Sequence, residues 1–280
     1  MAVQSLENIL QTIALDAYVP AEAVTKLEVF AHNYGEDFAQ QYDTVNVPVI
    51  EAGEAKELAD NQSNGMYVSD GTMSCVPVTL DKQVYSSIDI KLQTFNKYAA
   101  STHVNTAKGQ ATKVARAMMQ IIAKGVETEC ISDTQTAPTD YASLVAFKKT
   151  ISKYAKPILV LNAADYDALI TDEKLMTLAA LSGKEALATG TVNDLMGVRL
   201  LRADITTAGF VCDAGAIAFA TALTATDSNA SQPIIDEKSG CTMLVKYIDN
   251  GNPPTVTALV EILFGYKIIN KKRVIGFRAA

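Results

Sequence analysis

Apolar residues recur at steps of three and four from Leu6 to Leu15 and again from Pro20 to Ala31, predicting two short helices. Pro20 falls in a first helical turn, where its missing N–H has no partner to lose. The period then changes to two. In Asp43–Ile50, Val45, Val47 and Val49 alternate with polar residues, predicting a half-buried strand that Pro48 moves to a sheet edge. A stretch rich in Gly, Asn, Asp, Ser and Glu runs from Glu51 to Ser74, and alternation returns in Cys75–Leu80 and Val84–Leu92. The expectation is a long β-hairpin with a large polar tip. About twenty residues without structure do not fit inside a compact domain, so this hairpin is expected to project and find its partner elsewhere.

From Lys97 to about Gly125 the apolar positions Val104, Ala107, Ala111, Val114, Met118, Ile121 and Ile122 form one stripe, predicting a helix of ~40 Å. Beyond Ile131 the pattern alternates. Asp140–Tyr154 reads as a helix, Pro157–Leu161 as a buried strand, and Asn162 caps a helix through Ile170. Asp172 caps a further helix through Leu181. Val198–Arg202 and Phe210–Cys212 read as strands, and Asp213 reads as the cap of a helix over Ala214–Leu223. Thr224–Ser239 is expected to be a polar loop, followed by strands over Thr242–Ile248, Thr255–Lys267 and Lys272–Arg278. The fold class is α+β, with a compact body over 132 to about 245.

Composition narrows the function. The 280 residues are 49% hydrophobic and carry 24 Lys+Arg against 31 Asp+Glu, a net charge of −7. That suits a protein with a sizeable core and argues against one whose main work is gripping nucleic-acid phosphates. The distribution is uneven, however. Between Ile90 and Val126 there is no Asp or Glu, but there are Lys91, Lys97, Lys108, Lys113, Arg116 and Lys124. A strongly basic helix therefore sits in an acidic protein, and its charge order, with Lys97 near the start and Glu127 and Glu129 past the end, opposes the helix dipole. Partners outside the helix would explain this, and so would a solvated face.

No chemistry-bearing constellation stands out. His32 and His103 are the two histidines and have no neighbour at metal-ligand spacing. Cys75, Cys130, Cys212 and Cys241 form no pair motif and read as small buried apolar residues, as expected in a reducing environment. No secretory signal and no membrane span are evident. Ser182-Gly183-Lys184 lacks the upstream glycine of a phosphate loop, and the pairs Asp165/Asp167, Asp172/Glu173 and Asp236/Glu237 fall at caps and loops. The reading is of a structural or binding protein, not an enzyme, with no catalytic residue, cofactor or metal assigned.

The order of parts then becomes informative. It resembles a major capsid protein of the Hong Kong 97 fold, as in tailed bacteriophages, nearest to the coat-protein group of phage P22. The stretches that carry the resemblance are Asp43-Thr-Val-Asn-Val-Pro-Val, Val78-Thr-Leu-Asp-Lys-Gln-Val-Tyr85, Thr191-Val-Asn-Asp-Leu-Met-Gly-Val198 and Phe264-Gly-Tyr-Lys-Ile-Ile-Asn-Lys-Lys-Arg-Val-Ile275. The resemblance implies an N-arm at 1–42, an extended β-hairpin (E-loop) at 43–92, a peripheral domain with its spine helix at 93–131, an axial domain at 132–245 and peripheral-domain return strands at 246–280.

It further implies a virion protein, assembled in the host bacterial cytoplasm, whose hexamers and pentamers close into an icosahedral shell around double-stranded DNA. Portal, scaffolding and decoration proteins would be separate partners. About forty residues precede the first hairpin strand, fewer than the long scaffolding segment of some members. Some members also cross-link a Lys to an Asn; Lys56, Lys82 and Asn270 are of the right type, but no motif selects them. Two roles are open for the charges. Glu51, Glu54, Glu57 and Asp60 of the hairpin could meet the basic helix of a neighbour, or Lys97, Lys108, Lys113, Arg116 and Lys124 could face packaged DNA. The alternatives to a viral shell are an encapsulin-like nanocompartment and a monomeric α/β ligand-binding domain or enzyme.

Overall fold

The computed structural model describes residues 31–33, 44–51, 71–95, 97, 100–174, 194–222, 231–235, 242–251 and 254–278. The two helices expected before Ala31 lie outside these residues. Ala31 itself is not helical: strand β1 (Ala31–Asn33) runs parallel to β10 (Ile217–Ala222).

The hairpin is present, but it is shorter than the alternation suggested. Strands β2 (Thr44–Glu51) and β3 (Thr72–Thr79) pair antiparallel from Thr44 opposite Thr79 to Glu51 opposite Thr72. The next run, β4 (Lys82–Lys91), leaves the hairpin and pairs along its whole length with β13 (Thr255–Ile268). The other side of β13 carries β12 (Thr242–Asp249) over Val256–Glu261 and β10 over Leu263–Ile268. Strand β11 (Ser231–Ile235) closes this sheet against β12, inside a segment that composition assigned to a polar loop. Its Gln-Pro-Ile-Ile core supplies the apolar residues, and Pro233 is tolerated because the strand lies at an edge.

A short helix α1 (Leu92–Phe95) leads into α2 (Ala100–Cys130), whose 31 residues span ~46 Å at 1.5 Å per residue. The predicted stripe is its buried face, except that Ile121 is half-buried at the edge of it. Val104, Ala107, Ala111, Val114, Met118 and Ile122 are joined there by Ala115, Met119, Ala123 and Val126.

The second sheet runs β5 (Ile131–Thr136), β14 (Val274–Arg278), β9 (Gly209–Asp213), β6 (Pro157–Leu161), β8 (Val198–Arg202) and β7 (Asp194–Leu195). Both of its faces are covered. Ile158, Val160, Phe210, Cys212 and Val274 share the core with α2, while Leu159, Leu161, Val211 and Phe277 pack on helices α3 (Tyr141–Thr150) and α4 (Ala163–Ile170). Double burial is why these strands read as continuous apolar runs. Asn162 caps α4 as expected, accepting from Asp165 N–H at 2.7 Å, whereas Asp140, expected as the first residue of its helix, is instead the cap of α3 and accepts from Ser143 N–H at 2.7 Å. Of the helix expected after Asp172, only the start is described, where Lys174 N–H donates to the Asp172 carboxylate at 2.9 Å.

The helix expected over Ala214–Leu223 is a strand, β10. Gly215 lies at φ +79°, a left-handed conformation that stops a helix at its second residue. The run that follows is buried on both faces between β1 and β13, and sheet pairing overrides its alanine content. Asp213 accordingly is no cap.

Candidate interaction surfaces of the long helix and the hairpin

On α2, Lys113, Arg116 and Lys124 are exposed, with Gln120 between them, and steps of three and four put all four on one outward stripe. Lys108 is half-buried and lies about 140° around the helix from Lys113, on the flank of the stripe. Lys97 is exposed in the turn before the helix. Arg116 does not present its full charge: its Nε lies 3.5 Å from Asp204 Oδ2, and Gln120 Nε2 donates to the Asp204 carbonyl at 3.5 Å. Both members of the ion pair are more than half exposed, so water competes with it and the stripe remains basic through Lys113 and Lys124. The helix continues to Cys130, so Glu127 and Glu129 occupy its last turn. Lys271, whose Nζ lies 2.8 Å from Glu129, offsets the unfavourable dipole there, and the Glu129 hydrogen bond and charge raise the Lys271 pKa.

The hairpin stands on the opposite side of its sheet. In β10, Ile217 and Phe219 point into the core shared with α2, whereas Ala218 and Ala220 receive Val45, Val47 and Val78 from the hairpin root. Gly265 makes that seat possible, because a Cβ there would lie 2.0 Å from the Thr79 carbonyl oxygen. Away from the root the hairpin is open. Pro48, Met73, Cys75 and Pro77 are exposed on the face turned from the sheet, Met73 at 70%. Cys75 is therefore not a buried apolar residue, whereas Cys212 is fully buried, with its thiol pKa pushed up by burial. Glu51 ends β2; Glu54, Glu57 and Asp60 lie outside the described residues.

Sequence reasoning missed two buried carboxylates. Asp213 is 2% exposed and accepts N–H bonds from Ala155 and Lys156 at 3.2 and 2.7 Å and from Arg273 at 2.7 Å. It joins the start of β6 to the β9–β10 and β13–β14 connections. Glu261, on the sheet face away from α2, pairs with Lys246 and accepts from Gln83 Nε2 at 3.0 Å. A lone charge within the apolar run Ala258–Phe264 was the available signal. His103 is a core residue. It is wedged against Phe95 and Tyr247 with ring centroids 4.5 and 6.2 Å away, and desolvation lowers its pKa. Among the described residues no group of three or more His, Cys, Asp or Glu could hold a metal, and no helix is long and apolar enough to cross a membrane.

No family model matches the sequence, and no curated protein matches it either. Solved structures do. A structure from Mycobacterium phage Che8 aligns at TM-score 0.58 and 15% identity, covering 90% of both chains. The capsid of an empty GTA particle gives 0.56 at 13% identity over 91% of this chain and 90% of that one. The capsid of cyanophage P-SCSP1u gives 0.54 at 9% identity over 90% and 86%. These likenesses span nearly the whole chain in both directions, and they show the fold: it is that of tailed-phage major capsid proteins, with mixed helices and sheets.

Proposed function

We propose that this chain is a capsid shell protein, and that copies of it assemble into hexamers and pentamers that close around double-stranded DNA. The observation that carries the reading is the agreement in fold over about nine tenths of both chains with phage and GTA-particle capsid structures. In this reading the Hong Kong 97 parts fall at the N-arm 1–42, the E-loop 43–92, the spine helix within 93–131, the axial domain 132–245 and the return strands 246–280, with α2 as spine.

The opposite placement of the hairpin and the basic stripe supports a division of labour. A single-layered shell has an outer and an inner surface, and a hairpin reaching sideways from one face of the sheet meets a neighbour on that same face. The hairpin, with Glu51, Glu54, Glu57 and Asp60, then serves the neighbouring subunit's sheet side. Lys97, Lys108, Lys113, Arg116 and Lys124 are left for the enclosed nucleic acid, which needs non-specific neutralisation only. This favours the DNA-facing role over a contact between the hairpin and a neighbour's helix.

The experiment is light scattering after size exclusion, with electron microscopy of the heaviest fraction and nucleic-acid analysis of its contents. Megadalton particles holding DNA are expected. A 29.9 kDa monomer at every concentration overturns the reading, and particles loaded with protein instead of DNA transfer it to a nanocompartment.

A further inference from the structure

Strand β4 is ten residues long and forms one edge of its sheet. Its inner side pairs with β13 from Lys82 opposite Phe264 to Lys91 opposite Thr255, and no other described strand pairs with it. In an antiparallel pair every second residue turns its N–H and C=O outward, so about five residues of β4 present an unpaired row. Soluble chains usually blunt such an edge with proline, a bulge or central charges. Here the hairpin strands β2 and β3 carry Pro48 and Pro77, but β4 has no proline, its register with β13 runs without a shift, and its centre, Gln83–Ile88, is uncharged. Tyr85 and Ile88 are 66% and 46% exposed on its two faces.

We propose that β4 pairs antiparallel with β4 of a second copy across a two-fold axis, joining two sheets into one. Register decides which pairing is possible. For both copies to keep α2 on the same side of the joined sheet, residues facing each other must have the same side-chain parity. Among such registers, the one that sets Ser86 opposite Ser86 of the second copy puts Asp81 opposite Lys91 and Gln83 opposite Asp89 on one face, each twice. It puts Val84 opposite Ile88 twice on the other, covering the exposed isoleucine. A shift of one residue per strand in one direction sets Asp81 against Asp89, a like-charge pair, and in the other sets Lys91 against Gln83 and Asp89 against Tyr85, with neither charge opposed. Of these three registers, the one centred on Ser86 is the one that opposes unlike charges and sets no like charges together. A shell built from rings needs contacts between rings as well as within them, and an isologous strand pair supplies one. This placement rests on the shell reading; the pairing itself does not.

The test is disulfide trapping in a Cys75→Ser, Cys241→Ser background, which removes the exposed thiol among the described residues and the cysteine outside them. A cysteine at Ser86 would face its own symmetry mate within disulfide reach, whereas one at Gln83 would face Asp89. Expected is conversion of most Ser86→Cys chain to a dimer on a non-reducing gel after mild oxidation, with Gln83→Cys remaining monomeric. Equal dimer from both variants, or none from either while the protein remains folded, overturns the pairing. Both variants are read on whatever the protein forms. Shells without the Ser86 disulfide sink the pairing and leave the shell reading intact; a Ser86-linked dimer that never grows larger does the reverse.

Discussion

The sheet built around β6, β9 and β14 has helices on both faces, and its largest side chains, Phe210, Phe277, Leu159 and Leu161, are all buried. The sheet built around β13 has α2 on one face only. Its other face is covered at β10 by the hairpin root and farther along displays Tyr85 and Ile248, 66% and 46% exposed. The first region is complete within one chain. Among the described residues, the second, with the hairpin it carries, leaves part of one face open, one strand edge unpaired and an apolar hairpin surface exposed. A monomer gains nothing from those features, so stability should reside in the first region and association in the second.

The largest effect that would sharpen this contrast is Phe210→Ala. Removing a fully buried ring beneath α2 should cost about 3–5 kcal/mol, a large share of the roughly 5–15 kcal/mol that holds a typical domain. The mirror substitution Met73→Ala removes a side chain of similar apolar character from the open hairpin and should change chain stability by less than about 0.5 kcal/mol. Denaturant titration of the unassembled chain measures both. Equal losses from the two would break the contrast. Met73→Ala is expected to act instead on particle yield.

Next in size is Gly265→Ala. The added methyl meets the Thr79 carbonyl and should cost about 1–3 kcal/mol by overpacking. The loss is local to the hairpin root. Hydrogen exchange should quicken at Val45, Val47 and Val78 while β6 and β9 keep their protection. Uniform loss of protection would mean that the hairpin root is part of the stabilising core after all.

Smaller still in stability terms is the double change Lys113→Glu and Lys124→Glu. Both side chains are exposed and neither takes part in a described ion pair, so folding should shift by under about 0.5 kcal/mol. Nucleic-acid content of assembled particles should fall, with empty particles forming normally. Failure to assemble at all would move the basic stripe from the DNA side to the subunit interface. Arg116 is the poorer probe, since reversing it also sets a glutamate beside Asp204.

How much of this was readable beforehand follows from what each residue's neighbours are. The stripe of α2, the alternation of β2 and the cap at Asn162 are local signals, and they appear where the sequence put them. Ala214–Leu223 failed because a short apolar run, Ile217–Ala222, buried on both faces has no diagnostic period; only pairing with β13 decides that it is a strand. Ser231–Ile235 was hidden among polar neighbours in sequence, and only its pairing with β12 makes it a strand. The split of Cys75–Leu92 between two sheets turns on Gly265, about 180 residues downstream, which lets the chain cross β13. The basic stripe was legible as composition. That Asp204 would half-mask Arg116, and that Asp213 would be a buried acceptor and no cap, depended on long-range contacts.

The finest probe of the completed region is Tyr154, whose buried hydroxyl has no hydrogen-bond partner. Burial, then the nearby Cys212 and Asp213, push its pKa from 10.0 up to about 12. Between those values the folded chain keeps a proton that the unfolded chain has released, so stability falls as pH rises through the window and the loss is complete above it. Tyr154→Phe removes an unpaired polar atom and should be nearly neutral at pH 7. Above about pH 10 it should gain on the parent, because phenylalanine has no proton to lose. Tyr247 and Tyr266 are also shifted upward by burial, so both proteins keep an alkaline slope and the difference between them is the quantity to follow in denaturation midpoints. If the two curves stay parallel, the hydroxyl is solvated and the region around Asp213 is looser than its packing implies. If the variant is weaker at pH 7, the hydroxyl has a partner there and the interior is tied by more than the Arg273 pair.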